Sequence, residues 1–163
     1  MERLFKAKKK TSGEWVEGYI AKAKWYLDEK EMFVILPTDL CIYPHCEFSE
    51  WIEIDKTTIC QYTGLTDKNG NKIWENDILR GHGNPKDLAK VVFGKFHVIE
   101  VESLENIDSV VGWHTEVIPT DAISKCEPFC LPMPLTDFYI DFSEFEAIGN
   151  IFDNPELLQE DKQ

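Results

Sequence analysis

Residues Gln61 to Leu79, QYTGLTDKNGNKIWENDIL, decide the fold of this chain. Apolar-bearing segments flank Asp67-Lys68-Asn69-Gly70. Asn and Gly accept a positive φ angle without the Cβ clash that penalises other residues, and an Asn-Gly pair between such segments is the strongest short-range signal for a β-hairpin. We therefore predict a strand, a tight turn and a second strand at this place.

Short β-strands separated by turn signals fill most of the remaining chain. Residues 3–10 and 14–26 are predicted to form a hairpin whose turn lies at residues 11–13. The pair Gly94-Lys95 is typical of a type II′ hairpin turn, which needs Gly at its first central position. Strands this short with turns between them indicate a small β-barrel or sandwich. The other predicted strands are 32–36, 51–54, 88–93, 96–101, 110–118 and 145–152.

Three features are expected to interrupt or end this β pattern. Four prolines between residues 119 and 134 cannot donate to a strand ladder, so the backbone there is predicted to be mostly irregular. Gly149 is predicted to mark a bulge or a close approach. Asn154-Pro155-Glu156 favours the start of a short helix, because Asn caps, Pro suits the first helical position and Glu complements the helix dipole. Residues 38–49 and 102–109 are predicted to be loops.

Length and composition bound the class of protein. A chain of 163 residues with 43% hydrophobic residues fits one domain, or one domain with a small appendage, and buries a core of its own. Its longest apolar run, residues 32–37, is too short to span a bilayer. The opening MERLFKAKKK is followed by no apolar segment, so we expect no signal peptide and a location in the cytoplasm of the host cell. Five cysteines fit a reducing compartment and argue against a disulfide framework.

The formal net charge of −13 is unevenly placed. Residues 1–24 carry seven Lys or Arg against three Glu, a local balance of +4, which leaves −17 for the rest. A body this acidic repels phosphate backbones, so we expect no direct nucleic-acid binding. The basic N-terminal segment is better explained as an edge strand whose lysines prevent unwanted pairing.

Three blocks of the sequence resemble the YopX family, small proteins of bacteriophages and prophages of Gram-positive bacteria. The blocks are FKAKKKTSGEWVEGYI at 5–20, QYTGLTDKNGNKIWENDI at 61–78 and AIGNIFDNPELL at 147–158. They follow the family's order and span nearly the whole chain. In the second block Asn76 stands where the family usually has Gly, so the turn there must accept a Cβ; Asn tolerates a left-handed φ better than most residues.

The resemblance implies a mostly β fold with an SH3-like β-barrel. We expect an N-terminal β segment at 1–58 packed on the barrel, and an SH3-like barrel at 59–163 that carries an irregular insertion with prolines and cysteines at about 119–140 and ends in a short helix. The hallmark residues Tyr62, Gly64, Asp67, Gly70 and Asp77 are expected to serve turns and packing. The family's biochemical role is uncharacterised, so the resemblance implies no particular activity.

Two segments of the sequence resemble metal sites but have better structural explanations. Cys41 and Cys46, with His45 between them, and Cys126 and Cys130 could together form a zinc site, but neither pair has the tight two-residue spacing of a zinc knuckle. Buried thiols in proline-rich loops explain these cysteines better. A calcium loop starting at Asp67 would need Gly at position 72 and a carboxylate at 78, where the chain has Lys72 and Ile78. We therefore assign no metal, no cofactor and no cofactor-binding residue.

No catalytic residue is assigned either. The histidines at 45, 82, 97 and 114 are scattered and form no recognisable triad. His82, between Gly81 and Gly83, is the most suspicious exposed residue, because a His between glycines can approach a ligand. A mobile loop tip explains this segment better.

The leading hypothesis for function is a non-enzymatic protein-interaction module that binds a host or phage protein, with self-association as a further option. In the central hairpin, alternation sends one of Ile73 and Trp74 outward, where it would mark a binding face. Two alternatives are a small-molecule-processing enzyme that uses the His82 loop, and an acidic mimic of DNA.

Overall fold

The computed structural model describes residues 3–24, 31–37, 51–100, 103 and 105–159 of the chain. The chain forms two compact units, Met1–Tyr62 and Thr63–Gln163. Both units are built from antiparallel strands, which confirms the prediction of a mostly β protein. No helix among the described residues has the length and apolar character that a membrane crossing requires.

The first unit is an antiparallel sheet with the strand order β4-β3-β2-β1-β5. The expectation that the basic N-terminal segment is an edge strand is wrong, because β1 pairs with β2 on one side and with β5 on the other. The predicted N-terminal hairpin is confirmed, since Lys8 pairs with Trp15 and the Gly13 N–H closes the turn on the Lys9 carbonyl at 2.8 Å. Its core consists of Ala7, Ile35 and Ile54. The strands are β1 (Phe5–Lys8), β2 (Trp15–Lys24), β3 (Glu31–Pro37), β4 (Ile52–Glu53) and β5 (Cys60–Thr66), the last of which runs on into the second unit.

The second unit contains a five-stranded antiparallel sheet with the order β10-β9-β8-β7-β11 and, among its described residues, a single α-helix, α1. Across the described residues, the strands of neither unit close into a barrel, so the SH3-like barrel stays a prediction. A short 3-10 helix at Pro155–Leu158 ends the described chain. The elements are β6 (Lys72–Trp74), β7 (Asp77–Arg80), β8 (Leu88–Ile99), β9 (Asn106–Val117), β10 (Met133–Pro134), α1 (Asp137–Phe142) and β11 (Glu146–Asn150). Its main core cluster is Ile73, Leu79, Val91, Leu135, Ile140 and Phe145.

The central hairpin turns at Asp67–Asn71, as predicted. The Asp67 carboxylate Oδ1 accepts the backbone N–H groups of Asn69 and Asn71, each at 2.9 Å. Gly70 has φ 82°, a left-handed value that would strain any residue with a Cβ. Of the Asn-Gly pair, only Gly70 adopts a positive φ, so the carboxylate of Asp67 rather than Asn69 organises the turn.

A second turn separates β6 from β7 and confirms the expectation for Asn76. Asn76 has φ 65°. Its N–H donates to the Val91 carbonyl at 2.9 Å, and its carbonyl accepts the Ile151 N–H at 3.1 Å. Next to it, the buried Asp77 accepts the Trp74 N–H at 2.8 Å. Asn76 therefore joins three segments of the second unit through its backbone.

The predicted turn at Gly94-Lys95 is wrong. Gly94 lies inside β8, which runs without interruption from Leu88 to Ile99, and it pairs with Gly112 of β9. Gly94 has no positive φ, which a type II′ turn would require of it. The chain reverses later, where the Glu100 N–H donates to the Glu105 carbonyl at 3.0 Å.

The predicted outward side chain in β6 is also wrong. Ile73 is completely buried and Trp74 is 4% exposed. Ile73 belongs to the main core, and the Lys72 ammonium lies 5.6 Å from the Trp74 ring centroid. The strand is only three residues long, so alternation within it does not decide burial; what packs on both of its faces does.

Near the C-terminus, β11 has the predicted bulge. Its register against β7 shifts between Ala147 and Gly149, and a Cβ on Gly149 would overlap the Asn154 side chain. The predicted helix start is confirmed only as a 3-10 turn, with Pro155 in its first turn. Asn154 does not cap it with its side chain, because its Oδ1 accepts the Asn150 N–H at 3.4 Å instead.

Candidate interaction surfaces

The long hairpin of β8 and β9 extends beyond the rest of its sheet. The two strands pair along their whole length, but β7 pairs with β8 only at Leu88–Lys90. On the other side, β10 pairs with β9 only at His114 and Thr115. Among the described residues, no third strand pairs with 92–99 or with 106–112. We refer to residues 92–99 and 106–113 as the arm.

One face of the arm is apolar and exposed. Phe93 pairs directly with Trp113, and their rings meet edge to face with centroids 5.0 Å apart. Val111, the partner of Lys95 one step further out, is 69% exposed, and Phe93 is 52% exposed. At its root, Trp113 packs against the main core. The arm therefore carries the apolar face of the core outward into solvent.

The opposite face of the arm is closed. Phe96 stacks on the His114 ring at 4.6 Å between centroids, and both side chains are buried. Along the paired strands, the Gly94–Gly112 pair lies between the pair that contains His114 and the pair that contains Phe96, and it adds no side chain. The buried His114 ring therefore packs within this face.

Acidic groups surround the outer end of the arm. Glu100, Glu105 and Asp108 are exposed there, whereas Lys95 is the only Lys or Arg among residues 92–113. The Asp108 carboxylate also caps the Ser109 backbone N–H at 2.6 Å, and β9 bulges where the register shifts between Val98 and Ile99. Natural proteins use such charges and bulges to prevent indiscriminate strand pairing. The exposed apolar face is thus more accessible than the strand edges.

Helix α1 forms a second exposed surface. Thr136 caps it by accepting the Tyr139 N–H at 3.1 Å, and Ile140 anchors it in the main core. Phe138 is 77% exposed and Phe142 is 68% exposed. Their rings stack with centroids 6.1 Å apart, because residues four apart share one face of a helix. We call these two rings the aromatic ridge.

Tyr139, a residue of α1 itself, packs the helix against the rest of the second unit. Burial raises the pKa of the Tyr139 hydroxyl, while its side-chain hydrogen bonds with Ser143 and Thr115 act in the opposite direction. The ring also packs edge to face on Phe145 at 5.3 Å. The ring of Tyr139 therefore links α1 to the buried Phe145.

His82, singled out from the sequence, lies beside this ridge. Its backbone has φ 51°, its N–H donates to the Ser143 carbonyl at 2.8 Å, and its ring packs edge to face on Phe142 at 6.5 Å. Its Nδ1 lies 2.9 Å from Asp87 Oδ2. The Gly81–Gly83 segment is thus held by defined contacts.

The structure does not bring the other candidate residues from the sequence to the aromatic ridge. His97 lies on the arm, where its Nδ1 contacts the Ser109 hydroxyl and the Asn106 amide, each at 2.8 Å. Cys126 is exposed and Cys130 is half-buried in a turn in which the Cys130 N–H donates to the Cys126 carbonyl, so the expectation of a buried thiol is wrong for Cys126. Cys41 and Cys46, two of the four cysteines of the proposed zinc site, lie outside the described residues, and so does His45. Within the described ranges, no group of three or more His, Cys, Asp or Glu could hold a metal ion.

Sequence reasoning missed both surfaces. The wrong prediction of a turn at Gly94-Lys95 divided β8 into two short strands. Helix α1 falls just after the proline-rich stretch and is only six residues long, too short for a periodic pattern. Its one local signal was Thr136 followed by Asp137, a cap residue and a first-turn acid.

Comparison with known proteins adds one match. The model of a family described as YopX protein matches residues 4–159. None of the curated proteins matches this chain.

Proposed function

Because the chain belongs to the YopX family over nearly its whole length, and because of the surface it presents, we propose that it is a non-enzymatic protein-interaction module. Its partner is a host or phage protein, in keeping with the phage and prophage setting that the resemblance implies. We also propose that the second unit has an SH3-like architecture.

The observation that carries this proposal is the apolar face of the arm. A two-stranded ribbon is at best marginally stable in water, yet this one leaves Phe93 and Val111 more than half exposed on the same face as Trp113, which is partly buried against the core. Exposed clusters of apolar and aromatic side chains mark interaction sites, and Trp is enriched among the residues that contribute most binding energy.

The charges of the arm favour a protein partner over nucleic acid. β-ribbons that enter a DNA groove need cations to neutralise phosphates. The arm and its outer end have exposed carboxylates at Glu100, Glu105 and Asp108, and Lys95 is the only Lys or Arg among residues 92–113. A protein surface that buries Phe93 and Val111 and leaves the acidic end in water fits this distribution better.

A tagged pull-down from host lysate tests the proposal. The full chain is immobilised with and without nuclease treatment, and retained proteins are identified by mass spectrometry across a salt series. We expect a specific protein to be retained after nuclease treatment and at raised salt, because apolar contacts are not screened. Loss of all specific proteins at raised salt would instead favour acidic mimicry of DNA.

A further inference from the structure

We propose that the aromatic ridge on α1 is a second docking surface, separate from the arm, and that it binds a cationic, partly apolar segment of a partner protein. The segment would place an Arg or Lys side chain over the exposed faces of Phe138 and Phe142, among the carboxylates of the same helix.

The fold does not need the ridge. Helix α1 buries Ile140 almost completely and half-buries Tyr139, which provides its contact with the core. Phe138 and Phe142 point away from that core and remain 77% and 68% exposed. Polar residues at these two positions would leave the core contacts in place. Keeping two large rings in water therefore calls for another explanation, and binding supplies one.

The ridge is also held in a defined arrangement. The rings of Phe138 and Phe142 are nearly parallel, with an interplanar angle of 17°. The His82 ring supports Phe142 edge to face at 86°, and Asp87 fixes His82 through Nδ1. Because these groups are positioned before any partner arrives, binding would cost little side-chain entropy.

Charge identifies the kind of partner. Asp137, Asp141 and Glu144 are exposed on or directly after the same helix, and residues 133–145 include no Lys or Arg. A cation above an aromatic face is attracted by the ring quadrupole, and the guanidinium of Arg also stacks on rings and forms paired hydrogen bonds with carboxylates. An acidic segment would meet three like charges instead. The surface thus selects positive charge combined with apolar contact.

The test is an NMR titration of the full ¹⁵N-labelled chain with three short probe peptides. The probes are Ac-Arg-Leu-Arg-Leu-NH₂, Ac-Glu-Leu-Glu-Leu-NH₂ and Ac-Ser-Leu-Ser-Leu-NH₂, which share their apolar residues and differ in charge. We expect the arginine peptide alone to shift the amide signals of residues 137–144 and of His82. The variants Phe138→Ser and Phe142→Ser should each weaken this binding about tenfold, the loss expected for a cation–π contact with its buried area.

Matched variants separate the ridge from general effects. Phe129→Ser removes another exposed aromatic ring of the second unit and should leave the titration unchanged. Asp141→Asn should weaken binding of the arginine peptide and leave the amide spectrum otherwise similar. Equal shifts with the glutamate peptide, no shifts at the ridge, or shifts that persist in both Phe variants would overturn this inference. None of these results bears on the separate proposal that the arm binds a partner.

Discussion

The backbone N–H of Ala147 donates a hydrogen bond to the Asp67 carboxylate Oδ2 at 3.1 Å, across a sequence separation of 80 residues. A second bond runs beside it, from the Lys68 N–H to the Phe145 carbonyl at 3.0 Å. The carboxylate that organises the central turn thus also fixes the strand that opens the third sequence block. These two hydrogen bonds join the central hairpin to β11.

Replacing Asp67 should destabilise the second unit. In Asp67→Ala the backbone N–H groups of Asn69, Asn71 and Ala147 lose their shared acceptor while they remain in the folded chain. We expect the free energy of unfolding to fall by about 3 kcal/mol, measured by urea denaturation. Asp141→Asn, at an exposed carboxylate, is the control and should change stability by less than about 0.5 kcal/mol. An equal effect of the two variants would contradict the role of Asp67.

The same carboxylate predicts a pH dependence. Burial alone would raise the pKa of Asp67, but the hydrogen bonds from Ala147, Asn71 and Asn69 outweigh it and hold the pKa below its ordinary value. A carboxyl whose pKa is lowered by folding stabilises the fold above the unfolded-state pKa, and this contribution is lost as the pH falls through the folded-state value. The difference in unfolding free energy between wild type and Asp67→Asn should therefore shrink from about pH 4 downward. A difference that stays constant over this range would show that ionisation of Asp67 does not contribute.

Because the backbone at Asn76 is left-handed, we predict that a Gly variant at this position is more stable than an Ala variant. Both Asn76→Gly and Asn76→Ala remove the side chain, but only Ala keeps a Cβ at φ 65°. We expect the Ala variant to be less stable than the Gly variant by about 1 kcal/mol, because of the Cβ clash in this region. Thermal or urea unfolding of the two variants measures the difference. An Ala variant as stable as the Gly variant would exclude the strain.

The described cysteines should differ in reactivity. Cys60 is completely buried, Cys126 is exposed and Cys130 lies between them. Alkylation of the native protein followed by peptide mapping should modify Cys126 first and Cys60 only after unfolding. Metal analysis of the native protein before alkylation tests the zinc hypothesis, because a site that includes Cys126 and Cys130 requires zinc near equimolar amounts and protected thiols.

Local chemistry explains which features could be predicted from the sequence. The turns at Asp67–Gly70 and Asn76, the N-terminal hairpin and the bulge near Gly149 each depend on backbone preferences of a few adjacent residues. Such preferences are local, so these features could be predicted without knowledge of distant partners.

The remaining features depend on contacts between distant residues. Gly94 continues a strand because Gly112 pairs with it, and no local pattern indicates that partner. Helix α1 forms because Ile140 enters the core, a tertiary effect that outweighs its short length. Trp74 is buried for the same kind of reason. Both proposed surfaces consist of residues whose exposure only the tertiary structure reveals.

The most direct test of the central claim compares the proteins captured by three forms of the chain. Val111→Lys places a charge on the apolar face of the arm, and Ile123→Lys makes the same kind of change at an exposed residue of the second unit outside the arm. Retained proteins are quantified by mass spectrometry after nuclease treatment. The account predicts that wild type and Ile123→Lys retain the same partner and that Val111→Lys loses it. Equal retention by Val111→Lys, or no specific partner for wild type, would contradict the assignment of the arm as the interaction surface.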